Sequence, residues 1–122
     1  MNSPEQSNNL EYWPEILAKF INDNSAKYNL YLHPELIYFS GHFSTLKLLP
    51  GIVQINWAQH FAQREFNISP SMVFSLAKAK FTSPLIPGTS TSLEIAHIPE
   101  KKKIAFEYIQ NAKSSSKGTF FY

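Results

Sequence analysis

The residues best suited to chemistry in this 122-residue chain lie close together, between Tyr38 and Trp57. His42 follows Gly41, where a glycine permits an unusual backbone angle or the close approach of a ligand. Further along, Pro50-Gly51 introduces an apolar run. If that run is a helix, its first N–H groups are open and its dipole favours developing negative charge. An imidazole held beside such a helix start supplies a base and an oxyanion site in one pocket. That pairing suits removal of a proton next to a carbonyl. The other reading of the same residues is a loop histidine packed under an apolar cap.

The elements around this stretch follow from periodicity. Residues 1–10 are polar and read as a disordered lead-in. Trp13, Ile16, Leu17, Phe20 and Ile21 recur at helical spacing, with Pro14 suited to a first turn, so a helix is expected there. Tyr28, Leu30 and Leu32 alternate with polar neighbours, which predicts a strand with one wet face. Leu36 to Phe39 is expected to be extended. Residues 51–66 are apolar nearly all round, as a core helix is, and too short to span a bilayer. Strands are expected at Met72 to Phe81, Ser92 to Ile98, Ile104 to Ile109 and Thr119 to Tyr122, with Asn111 to Ser116 as a turn. Short connections make neighbouring strands antiparallel. The predicted architecture is α+β: a curved sheet wrapped around one long apolar helix, in a single domain over residues 1–122.

Composition removes several classes of function. Lys plus Arg is 11 against 9 for Asp plus Glu, and Arg64 is the sole arginine, which argues against a nucleic-acid partner. Cysteine is absent, so there is no disulfide framework and no thiolate zinc site. His33 and His97 lie on separate predicted strands without a second ligand at metal spacing, so no metal and no cofactor is expected. With no signal-like or membrane-spanning segment, a cytoplasmic location is the default. Charged residues are only 16%, so part of the surface is expected to be covered by another subunit.

Phe39-Ser-Gly-His-Phe43, Leu49-Pro-Gly-Ile52 and the apolar helix after them resemble the signature of the FabA/FabZ-type 3-hydroxyacyl-(acyl carrier protein) dehydratases, which have the hot-dog fold. Lys80-Phe-Thr-Ser-Pro-Leu-Ile-Pro-Gly88 is similar to that family's Lys-Phe-x-x-Pro-x-x-Pro-Gly segment. Val53-Gln-Ile-Asn-Trp-Ala58 and Ser114-Ser-Ser-Lys-Gly118 resemble the ApeI-like branch, which is associated with aryl-polyene-type lipids. The resemblance implies a dimer with each site across the interface. It also implies a 3-hydroxyacyl thioester substrate, on acyl carrier protein or CoA, dehydrated to a trans-2-enoyl product in fatty acid or polyene-type lipid synthesis. It makes His42 the base and the Gly51 N–H the donor to the thioester carbonyl. It places Phe43, Pro50 and Ile52, with His60, around the substrate.

The family's helix acid falls fourteen positions after the histidine, and there this chain has Asn56. An amide can orient a hydroxyl but cannot act as a general acid at ordinary pH. Three outcomes stay open. His42 handles both proton transfers, His60 relays a proton, or the chain binds acyl thioesters as a weakened subunit beside an active homologous partner. A hot-dog thioesterase ranks after these, because such chemistry needs a helix carboxylate and Glu65 arrives only at the helix end. Lys101-Lys-Lys103 reads as a solvated hairpin tip that could also meet an acidic carrier protein. Trp13 and Trp57 read as core or interface anchors.

Overall fold

Alternating apolar residues make strands the commonest regular element of this chain. In the computed structural model, which describes residues 11–40 and 47–122, six strands and one helix follow one another. The strands are β1 (Glu15–Ile21), β2 (Ser25–Tyr31), β3 (Ser75–Phe81), β4 (Ser90–Ile98), β5 (Lys103–Gln110) and β6 (Lys113–Phe121). The helix α1 (Gly51–Glu65) falls between β2 and β3. All pairings are antiparallel, in the order β1-β2-β4-β5-β6-β3.

One sheet face carries the core. Tyr28 and Leu30 of β2, Leu93 and Ile95 of β4, Ile104, Phe106 and Tyr108 of β5, and Phe120 of β6 are all buried. Against them α1 sets Val53, Trp57, Ala58, Phe61 and Ala62, also buried. Alanines at 58 and 62 let the helix backbone approach the sheet, while Phe61 stacks on Tyr28 with ring centroids 4.5 Å apart. Burying each large apolar side chain contributes roughly 1.5–3 kcal/mol. The helix is therefore held by packing rather than by its own propensity.

Four expectations need correction. Trp13 to Ile21 is not a helix: Glu15–Ile21 is the edge strand β1, with a register shift between Ile16 and Ala18. Residues Ile37–Phe39 form one turn of 3₁₀ helix rather than an extended segment. The strand foreseen from Met72 begins at Ser75, and it crosses to the far edge of the sheet beside β6. Finally, the turn foreseen over Asn111 to Ser116 is only Asn111-Ala112, both at positive φ (54° and 61°), and β6 starts at Lys113.

Candidate active site

The mouth of α1 is built from local backbone chemistry. Pro50 precedes the helix in extended conformation (φ −60°, ψ 145°), and among the described residues no side chain caps the start. The N–H groups of Val53 and Gln54 both turn back to the Pro50 carbonyl, at 3.1 and 3.2 Å. Those of Gly51 and Ile52 have no carbonyl ahead of them in the helix. No acidic residue occupies the first turn, and the basic residue of the last turn is Arg64. Among the described residues nothing compensates the positive end of the helix dipole at Gly51, where a developing negative charge would be stabilised.

A buried glutamine fixes this corner. Gln54 donates from Nε2 to the Leu49 carbonyl at 3.1 Å and accepts at Oε1 from the Ser116 hydroxyl at 2.6 Å. Tyr108 Oη donates to the Gln54 carbonyl at 2.7 Å. Burial raises the Tyr108 phenol well above its ordinary value, so it stays a donor. Sequence reasoning quoted Gln54 without a role; a lone glutamine in an otherwise apolar helix face was the available signal.

The two separated motifs meet here. The N–H of Leu49 donates to the Leu85 carbonyl at 2.7 Å, tying the Pro-Gly helix start to the Pro84–Gly88 turn. Gly88 needs its glycine for a φ of +76°, and its N–H donates to the Leu32 carbonyl at 2.7 Å. Phe81, from the same motif, lies against Gly51: a Cβ there would stand 2.7 Å from the ring. Phe81 was not singled out from the sequence, and its close approach to the helix start explains why position 51 has no side chain.

The predicted site residues are distributed as follows. His42 and Phe43 lie outside the described residues. On the described side before them Tyr38 stands edge-on to Trp57 at 6.1 Å, and on the side after them the Leu49 carbonyl accepts from Gln54, so both flanks are tied to α1. Gly51, Pro50 and Ile52 form the mouth, and Ile52 is 65% exposed. Asn56 is exposed one turn further along the same helical stripe. His60 is half-buried a turn beyond, with its ring 4.6 Å from that of Trp13. Burial lowers its pKa, so it is neutral near pH 7.

At the other helix end, Glu65 is occupied. It accepts from Tyr28 Oη in a short hydrogen bond, from Arg64 Nη2 at 3.0 Å and pairs with Lys19 at 3.1 Å. Burial pushes its carboxyl up, but these hydrogen bonds outweigh that and hold it below the ordinary value. A carboxylate so engaged, about fourteen residues or 21 Å along the axis from Gly51, does not serve a thioesterase site at the mouth. His33 Nε2 lies 3.0 Å from Glu15 Oε1, and His97 Nε2 lies 2.6 Å from Tyr122 Oη. Among the described residues, no three metal-ligating side chains converge, and no helix is long and apolar enough to cross a membrane.

A six-stranded antiparallel sheet holding one buried helix, with both Pro-Gly motifs at the helix mouth, is the hot-dog fold. The PaaI protein of E. coli, from the phenylacetic acid degradation operon, shares it at TM-score 0.55 and 13% identity, over 88% of this chain and 81% of that one. A nearer likeness comes from the dehydratase heterocomplex ApeI:P of Xenorhabdus doucetiae, at TM-score 0.78 and 33% identity, over 88% of this chain and 96% of that one. A protein from Erwinia carotovora subsp. atroseptica follows at TM-score 0.77 and 25% identity, over 88% and 94%. The family model described as ApeI-like, the ApeI dehydratase, matches residues 18–119. The chain belongs to the ApeI-like dehydratase family. No curated protein matches it in sequence.

Proposed function

We propose that this chain is a subunit of a 3-hydroxyacyl thioester dehydratase, with the thioester carried on acyl carrier protein or CoA. The observation that carries the reading is the uncapped start of α1 at Gly51, held by Gln54 and joined by both family motifs. In this reading the thioester carbonyl accepts from the Gly51 N–H. His42 takes the α-proton, and negative charge gathers on the carbonyl oxygen where the helix amides face it. The β-hydroxyl then leaves with a proton as water, giving the trans-2-enoyl thioester. Asn56 orients the hydroxyl by hydrogen bonding but supplies no proton. His42 therefore returns its own proton, or an acid arrives from a partner subunit.

Exposed apolar side chains around the mouth, Leu48, Ile52, Phe81 and Ile86, together with the open edge of β3, support an edge-paired dimer across this site. The relative from Xenorhabdus doucetiae is a heterocomplex, and Asn56 favours the same arrangement here: a related subunit contributes the missing acid. The test is enoyl absorbance from purified protein and a 3-hydroxyacyl thioester, alone and with a related dehydratase subunit. Turnover abolished by His42→Ala supports the reading. Turnover that survives that change overturns the assignment of the base. Release of free thiol instead of enoyl product points to a thioesterase.

A further inference from the structure

On the face of the sheet away from α1, one register row runs across five strands. Lys27 pairs with Glu94, Glu94 with Glu107, Glu107 with Lys117, and Lys117 with Lys80. The row therefore reads plus, minus, minus, plus, plus. Two of its neighbouring pairs, Glu94–Glu107 and Lys117–Lys80, set like charges directly opposite each other, which is unfavourable in an isolated sheet. Among the described residues, no ion pair within the chain engages any of the five. The adjacent outward row is Ala96, Ala105, Thr119 and Lys78; on the central strands β4, β5 and β6 its residues are small and leave the backbone open to close approach. These residues line a groove of about 950 Å³.

The two like-charge pairs are complementary to each other. A two-fold axis parallel to the strands, between β5 and β6, maps β5 onto β6 and β4 onto β3 of a second copy. Glu107 then faces Lys117 of the other copy and Glu94 faces its Lys80. The symmetry repeats both contacts, so four unlike pairs between the copies offset the four like-charge neighbours within them. In the row beside them Ala105 faces Thr119 and Lys78 faces Ala96, so a small side chain stands on at least one side of each contact. Sheets packed face to face lie about 10 Å apart, a gap that a lysine and a glutamate span together.

We propose that this outer face binds a second copy of the same chain, back to back, by this offset pairing. The interface uses the outward face of β3 through Lys80 but not its hydrogen-bonding edge or the mouth of α1, so it joins edge-paired dimers into a larger assembly. Because the pairing is ionic and rim-accessible, salt weakens it.

Charge exchange provides the test, read as particle mass by analytical ultracentrifugation on the full chain at low salt. Glu107→Lys alone halves the mass of the assembly, since lysine now faces lysine. Glu107→Lys combined with Lys117→Glu restores it, because the exchanged pair is again complementary. A chain carrying Glu94→Lys and Glu107→Lys associates with one carrying Lys80→Glu and Lys117→Glu, but neither associates with itself through this face. All the changed side chains point away from the core, and circular dichroism confirms folding. Equal mass for the parent and Glu107→Lys at every concentration overturns the proposal. So does failure of the exchanged double variant to recover, or occupation of the face by a related subunit in preference to a second copy. The enoyl assay is independent, because the row lies on the far side of the sheet from α1.

Discussion

Replacing Gln54 with leucine tests how the helix mouth is held. Gln54 is only 4% exposed and serves two buried groups, the Leu49 carbonyl and the Ser116 hydroxyl. Leucine is close in volume but serves neither. Each orphaned buried group costs about 1–3 kcal/mol. The added apolar burial offsets roughly 1 kcal/mol. Gln54→Leu is therefore expected to lose about 1–5 kcal/mol in urea unfolding, with an unchanged m-value. Ser116→Ala orphans only the Gln54 Oε1 and costs about 1–3 kcal/mol. In the double variant neither the Ser116 hydroxyl nor the Gln54 Oε1 is left orphaned, so the loss falls short of the sum by both costs, about 2–6 kcal/mol. Under folding conditions, Gln54→Leu lets Leu49-Pro50-Gly51 drift, and a shift near 1 Å costs about 10²-fold in turnover. A Gln54→Leu protein within about 0.5 kcal/mol of the parent, or strict additivity in the double variant, refutes the network as the support of the mouth.

Further expectations follow from the same contacts. Gly51→Ala places a methyl against the Phe81 ring and displaces it, so turnover falls while stability changes little; adding Phe81→Ala recovers part of the turnover, and a large drop in thermal midpoint for Gly51→Ala alone contradicts this. Glu65→Gln costs about 1–3 kcal/mol by leaving Tyr28, Arg64 and Lys19 without their acceptor charge. Because the folded Glu65 pKa is lowered, its contribution is present above the ordinary value of 4.5 and is lost as pH falls through the folded value; Glu65→Gln flattens that part of a Tm-against-pH curve. Burial lowers the pKa of His60 and of His97, the latter partly restored by Glu100. The unfolded chain then binds more protons just below 6.5, so stability is complete above 6.5 and declines as pH falls toward the folded values. His60→Gln reduces that slope, and an unaltered slope contradicts the burial argument.

Much of this was legible in the sequence because the signals were local. The all-round apolar pattern of residues 51–66 can only be a buried helix, and Pro50-Gly51 marks its start. The alternation in β4 and β5 survives in the structure as a strict inward and outward pattern. β1 misled because its register shifts between Ile16 and Ala18, which breaks the two-residue period and leaves apolar side chains at helix-like intervals. The run Ser114-Ser-Ser looked like a turn because serine favours turns. Yet Ser115 and Ser116 are 1% exposed, and small side chains are needed there under the α1 start. Gly118 is likewise packing rather than punctuation, since a Cβ would stand 2.6 Å from the Lys78 carbonyl. The far-edge place of β3 depends on pairing between residues some forty positions apart, which no local pattern encodes. In the site, Gly51 was suggested by the helix start it opens and Asn56 by the family resemblance, whereas Gln54 and Phe81 act through contacts across the fold.

The most direct test of the site is a crystal structure of the protein with a 3-hydroxyacyl amide analogue of the thioester. The account predicts its carbonyl oxygen at about 2.7–3.1 Å from the Gly51 nitrogen, with the α-carbon facing His42. An analogue whose carbonyl lies away from the start of α1, or whose α-carbon is out of reach of His42, contradicts it.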